Sequence, residues 1–250
     1  MNTDTAYRNR GPVFALLLAL AWAGLHGFGV FALDIAERPL LGLATGAGLV
    51  WVYVGLFIVG HDAIHETLFG RGNPWNRRVG GTIHFLYAGF GFDTMKRHHI
   101  AHHLHPGTER DPDFNARNPR AFWPWYVKFF TTYFGPRQLL VLTGLAALQW
   151  LLGAKPLNLV LLWGVPAILS SFQLFYFGTY LTHRHGGAFA DAHKARSNTY
   201  PNWLSLLTCF HFGYHHEHHL YPEEPWWRLP LRRAETLRGG EAARVWEAAE

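Results

Sequence analysis

Two pairs of long apolar runs frame this chain, and each pair is joined by a connection too short to do anything but turn back. The first run, Pro12 to Leu33, holds about 22 residues, and about 20 suffice to cross the hydrocarbon core of a bilayer. The tight connection from Asp34 to Pro39 leads into a second run, Leu40 to Gly60, and the two read as an antiparallel hairpin. Leu139 to Gly153 and Leu157 to Leu181 form a second hairpin across Lys155 and Pro156, with Pro166 a candidate kink. The pattern predicts an all-α integral membrane protein of one domain, 1–250, with four transmembrane helices over 12–33, 40–60, 137–153 and 157–182. No small-residue cleavage site ends the first run, so it reads as a retained helix. Gly42 and Gly46 carry the GxxxG spacing of a close helix–helix contact. Between the hairpins, Val79 to Phe92 is apolar over only about 14 residues, which suits a re-entrant or interfacial segment. Phe122 to Phe134, with Trp123, Trp125, Tyr126 and Tyr133, reads as an aromatic segment at headgroup level.

The polar stretches are marked by histidine at helical spacing. His215, His218 and His219 stand at i, i+3, i+4, the same spacing recurs at His99, His102 and His103, and His61 and His65 form an i, i+4 pair. On a helix such residues share a face, so each cluster predicts converging imidazoles and a metal. These eight, with His183 as a ninth, are about twice what one structural ion takes, and two ions with four or five nitrogens each fit the count. Imidazole ligation suits zinc, copper, iron or nickel alike, so the spacing leaves the element open. His98 competes with His99, and His185 with His183. Asp62 and Glu217 stand beside ligands, either as acceptors that orient imidazole N–H groups or as ordinary solvated carboxylates. His84, His105, His193, His211 and His216 are expected to be supporting or incidental, and His26, inside a span, to be a packing residue.

Composition agrees with a membrane protein: charged residues are only 16%, aromatic residues also 16%, and there are eleven Trp. The mean hydropathy of -0.01 is an average diluted by the polar loops. A single cysteine, Cys209, leaves no internal disulfide and no Cys-based zinc or iron–sulfur site. The hairpin turns carry only Arg38 and Lys155, whereas the segment between the hairpins holds Arg71, Arg77, Arg78, Lys96, Arg97, Arg110, Arg117, Arg120 and Lys128. That bias places both termini and every histidine cluster on the cytoplasmic side, in regions 61–136 and 183–250, as a helical cap. The net charge of +5 accompanies no nucleic-acid motif. There is no Ser-His-Asp arrangement, no phosphate-binding Gly-rich loop and no haem thiolate, so metals must carry any hard chemistry. A metal transporter would need ionisable residues along its spans, and here they gather at one face. A zinc-dependent membrane hydrolase remains an alternative.

The HxxxH, HxxHH, HxxHH series resembles the membrane fatty-acid desaturase and hydroxylase superfamily. More narrowly, HDAIH at His61, RHHIAHH at Arg97 with the following HPGTERDPDF, FYFGTYLTHRHG at Phe175, and NWLSLLTCFHFGYHHEHHLYPEEPWWRLP at Asn202 are similar to the bacterial-type β-carotene ketolase family. The likeness runs over about residues 15–232, with Tyr221 a small departure from that family's pattern. It implies His61, His65, His99, His102, His103, His183, His215, His218 and His219 as ligands of two Fe(2+); Asp111 and Asp113 join Asp62 and Glu217 as candidate supporting carboxylates. It also implies that dioxygen oxidises the C4 methylene of a β-ionone ring to a ketone, by two hydroxylations and loss of water from the diol. A carotenoid ring hydroxylase or a fatty-acyl desaturase would share the scaffold. The carotenoid would enter from membrane lipid. With no flavin, haem or iron–sulfur motif in the chain, electrons must come from a separate protein, expected to be a ferredoxin-type donor with its reductase. An acidic donor would meet Arg71, Arg77, Arg78, Lys96, Arg97 and Arg110, and the protein is expected in the inner (cytoplasmic) membrane.

Overall fold

The helix from Pro39 to Ile64 forms the axis of the computed structural model, which describes residues 10–186 and 189–247. The extreme termini, whose cytoplasmic placement the charge bias predicts, lie outside the described residues. In chain order the helices are α1 (Arg10–Ala32), α2 (Pro39–Ile64), α3 (Pro74–Ala88), α4 (Phe92–Leu104), α5 (Phe122–Tyr133), α6 (Pro136–Leu151) and α7 (Pro156–His183), then α8 (Asn202–Cys209), α9 (His215–Leu220) and α10 (Leu229–Glu247). The last turn of α1 and two stretches of α7 are π-helical. Among the described residues the one strand-like pairing is a bridge between Ser197 and Tyr214.

Helices α1, α2 and α7 are long and apolar enough to cross a membrane. Their exposure differs: 56% of the apolar window of α2 is buried inside the protein, against 22% for α1, so α2 is the core and α1 a flank. Helix α2 packs on α1, α3 and α7. It does so because Leu49, Val52, Tyr53, Val54, Leu56, Ile58 and Val59 cover its whole circumference, the pattern of a helix buried all round. The closest approaches are at Gly55, where a Cβ would stand 2.6 Å from Phe210, and at Gly60, where it would stand 2.7 Å from the His84 ring. The GxxxG pair plays a smaller part. Gly42 faces Ile35 of the preceding turn, and Gly46 meets only Leu162 of α7 at ordinary contact distance.

The third expected span, α6, has 16 residues, about 24 Å of helix against a hydrocarbon core of about 30 Å. Pro136 starts it, and Gly153, at φ +97°, ends the turn behind it. It buries no residue and exposes Leu139, Leu140, Leu148, Trp150 and Leu151. Helix α3 begins five residues before the expected apolar segment, because Asn73 caps it, its side chain accepting from Trp75 N–H at 3.0 Å, and Gly89 closes it in the left-handed conformation.

Both hairpin turns lie at one end of the molecule. Lys155 Nζ reaches Asp34 at 2.9 Å, and Asn158 Nδ2 donates to the carbonyls of Gly29 and Leu33 at 2.8 Å each. Since α2 and α7 both start at that end, His61 and His183 arrive together at the other.

Candidate metal centre

Four helices deliver histidines to this end: α2, α4, α7 and the short α9. The chain is steered into α9 by Phe210 and His211, both with positive φ, and Phe210 is locked there between Trp51 and Trp226. The nine expected residues all come together, but as two sets. His61, His65, His99, His103 and His218 form one, and His102, His183, His215 and His219 the other, with the ligand atoms of each set within 4.8 Å of one another.

The two i, i+3, i+4 clusters therefore do not each converge on one point. At about 100° per residue, i and i+4 lie some 40° apart, whereas i+3 lies about 100° from i+4. His99 and His103 accordingly face the first set while His102 turns to the second; His215 and His219 face the second while His218 turns to the first. The HxxHH spacing divides each helix between two sites, and the sets touch where the rings of His103 and His219 stack at 4.3 Å.

The nitrogens argue for cations. In the first set Nε2 atoms approach in a chain, His65 to His99 at 2.7 Å, His99 to His103 at 3.1 Å, His103 to His218 at 2.9 Å and His218 to His61 at 3.1 Å. A ring nitrogen offers either one proton or one in-plane lone pair, so the inner members of such a chain cannot satisfy two neighbours each. Ligands about 2.1 Å from a shared ion stand about 3 Å apart, which is the spacing seen. In the second set His183 Nδ1 donates to Lys194 O at 2.8 Å, leaving a buried Nε2 with no protein partner. Burial keeps these rings neutral and able to ligate. It holds His65 at about 4 and His103 at about 2, and pushes His99, His215, His218 and His219 well below the usual imidazole range.

His102 is the exception. Burial alone would lower it, but the Asp111 and Asp113 carboxylates raise it. Its Nδ1 donates to Asp111, 3.0 Å from either oxygen, so Nε2 points to His219 at 3.1 Å. Asp113 stands 4.0 Å from the same Nδ1. Asp62 accepts from the Trp226 backbone N–H at 3.2 Å, with its other oxygen 3.5 Å from His61 Nδ1. Among the described residues Glu217 makes no hydrogen bond to an imidazole: it is fully buried between Ser197 Oγ and Arg233, whose Nη1 is 3.0 Å away.

The remaining histidines stand apart from both sets. His98 packs its edge on Tyr133, and His185 lies against Phe114. His84 fills the space over Gly60, His211 stacks between Tyr214 and Trp226, and His216 pairs with Asp191 at 2.8 Å. His193 comes no nearer than 6.0 Å, ring to ring, to His219, and His105 ends α4 through its backbone N–H. His26 Nε2 meets Gln149 at 2.7 Å, tying α1 to α6.

Sequence reasoning missed the part played by α5. Trp125 Nε1 donates to Asp113 O at 2.7 Å, and Lys128 Nζ donates to the carbonyls of Pro112 and, at 2.7 Å, Phe114. Tyr133 Oη donates to the Asp113 carboxylate. The signal was a Trp, Lys and Tyr at i, i+3 and i+8, which a headgroup-level reading turned outward to lipid.

A pocket touching both sets is lined by His61, His99, His102 and His215 together with Phe57, Met95, Phe129, Tyr133 and Leu174. The last five also line an apolar cavity of about 390 Å³ that continues between α3, α5, α6 and α7, past Phe130, Phe134, Leu142, Trp163 and Ala167.

A model of the fatty acid desaturase family matches residues 37–150 and 132–246. The chain is 46% identical to a β-carotene ketolase of Paracoccus sp. (strain N81106), over 85% of this chain and 88% of the relative. It is 39% identical to a β-carotene 4-ketolase of Haematococcus lacustris, over 76% of this chain and 62% of that one. A sphingolipid delta(4)-desaturase of Drosophila melanogaster is 27% identical over 70% of this chain and 60% of its own length. No solved structure matches.

Proposed function

The chain belongs to the fatty acid desaturase family, and on that footing we propose that it is a membrane β-carotene ketolase working through a di-iron centre. The observation that carries the reading is the joining of the two histidine sets to an apolar cavity through one pocket. A hydrocarbon substrate drawn from lipid can lie in that cavity with its end against the metal ligands. The 46% identity to a named ketolase selects the β-ionone ring as that end.

His61, His65, His99, His103 and His218 would hold one iron, and His102, His183, His215 and His219 the other. Reduced by an external donor, such a pair supplies the dioxygen chemistry that oxidises the ring methylene at C4 in two rounds. The chain's own residues do the rest. Asp111 and the Lys194 carbonyl fix the tautomers of His102 and His183, presenting Nε2. Phe57, Phe129, Leu174 and Phe212 surround the ring with apolar atoms and keep bulk water away. Tyr133, at the junction of pocket and cavity, spends its hydroxyl on Asp113, so its ring faces the substrate. The bilayer reading keeps four crossings, with α6 as a short lipid-facing one, and puts the histidine end on the cytoplasmic side of the inner membrane.

Expression in cells that accumulate β-carotene, followed by chromatography of the pigments, tests this. Keto-carotenoids should appear with the intact chain and vanish with Ala167→Trp, which fills the cavity while leaving iron content near two per chain. Hydroxylated carotenoids or altered acyl chains in place of ketones would assign the scaffold to a sister reaction, and zinc alone would remove the di-iron reading.

A further inference from the structure

Three guanidinium groups that this chemistry does not use gather where α7 ends. Arg120, Arg184 and Arg196, with Tyr180, His185 and Gly186, line a cavity of about 460 Å³, and no carboxylate lines it. They come from three separate parts of the chain, and hydrogen bonds tie the backbone of those parts together. Tyr180 Oη donates to Arg120 O at 2.8 Å, His185 N–H to Pro119 O at 3.1 Å, Arg196 N–H to Thr182 O at 2.9 Å, and Arg196 Nη1 to Arg184 O at 2.7 Å. Among the described residues neither Arg120 nor Arg184 forms an ion pair. The convergence has an electrostatic cost, since burial and then the neighbouring Arg184 push the Arg196 guanidinium below its usual range.

A topology signal accounts for cationic residues in these loops but not for their convergence. Charge bias works from any position near the end of a span and requires neither a shared concavity nor backbone ties. Bringing like charges together is repaid by an anion, and guanidinium forks match the oxygens of a phosphate. The location narrows the source of that anion: Leu181 of α7 lines the cavity, and Tyr176 and Trp123 are exposed beside it, joined to it through the Phe122 ring. Basic pockets at the cytoplasmic ends of spans take lipid phosphates in this way. We propose that the Arg120, Arg184 and Arg196 cavity binds a phosphate group, carried by an anionic phospholipid or free in solution. The inference stands whichever substrate the metal centre takes.

Native mass spectrometry of the detergent-purified, iron-loaded protein reads it, titrated separately with phosphatidylglycerol, phosphatidylcholine and inorganic phosphate. Phosphatidylglycerol should bind at least about tenfold more tightly than phosphatidylcholine, and the preference should disappear in Arg120→Gln/Arg184→Gln, since each lost charged contact weakens binding by about tenfold or more. Arg120→Lys, which keeps charge but loses the fork, should fall between. Survival of bound phosphatidylglycerol against excess inorganic phosphate assigns the site to a lipid headgroup. Displacement by it, with inorganic phosphate binding that the double variant lacks, assigns it to the free ion. Absence in the intact protein of both a phosphatidylglycerol preference and inorganic phosphate binding, or binding unchanged in both variants at equal iron content, overturns the proposal.

Discussion

His98 and His99 are adjacent, yet only His99 joins a histidine set. The His99 ring nitrogen lies between His65 and His103, while His98 turns its edge to Tyr133. Alanine at 99 should therefore abolish ketone formation and lower iron content, and alanine at 98 should leave iron content intact; equal iron loss in both would remove the register argued here. Acid should act on the same residues. A histidine whose folded pKa is depressed destabilises the fold once the unfolded chain can take up its proton, near pH 6.5. The contribution is full above that value and is lost as pH falls toward the folded values, about 4 for His65 and about 2 for His103. Metal-free protein should show a melting temperature that declines steadily from about pH 7 to pH 5. Iron-loaded protein should hold to lower pH, because bound metal competes with protons for the same nitrogens. A flat profile for the metal-free form would mean the rings are solvated.

Helix α5 links two functions at the scale of an element. One face clamps the Asp111–Phe114 loop through Trp125 and Lys128, and the same helix lines the apolar cavity with Phe129, Phe130 and Tyr133. Lys128 supplies a charged donor to carbonyls that would otherwise be left short, each such bond being worth about 1.5 to 3 kcal/mol. Lys128→Met keeps the length and removes the donor. It should lower thermal stability by a few degrees and reduce iron retention during dialysis against a chelator, because Asp111 would no longer hold the His102 tautomer. Unchanged iron retention would confine Lys128 to a role at the lipid surface.

For the whole molecule, the ends are functionally distinct. The Lys155 to Asp34 contact ties the two hairpin turns together, and the histidine sets occupy the other end of α2 and α7. In a Cys209-free protein, cysteines placed at 36 and 155 should label from the periplasmic side and one at 117 from the cytoplasm; labelling of 117 from outside would sink the orientation. A groove of about 640 Å³ beside the first histidine set, lined by His65, Glu66, Arg71, Lys96 and Arg228, is where a separate electron donor would be expected to dock. Several neighbouring charges are already engaged, Arg77 with Asp93 and Lys96 with Glu66. Steering of an acidic donor would thus fall more on Arg71, and salt screens such attraction over about 8 Å. Turnover with a ferredoxin and its reductase should fall between roughly 0.05 and 0.5 M salt, and Arg71→Glu should reproduce the loss at low salt with iron content unchanged. Salt-independent turnover would return these charges to a purely topological role.

Eight of the nine histidines that gather into the two sets stood out in the sequence because they recur at helical spacing, and spacing is a local property. The apolar runs were equally legible, as hydrophobicity and length are sums over adjacent residues; α1, α2 and α7 follow from them. How His102 and His218 are shared between the sets needed the tertiary structure. A 100° turn says which ligands part company but not which helices meet across the gap. The inward service of Trp125, Lys128 and Tyr133 and the engagement of Glu217 by Arg233 were hidden for the same reason. An aromatic or charged side chain reads alike toward lipid, water or a buried partner, and long-range packing alone chooses among them.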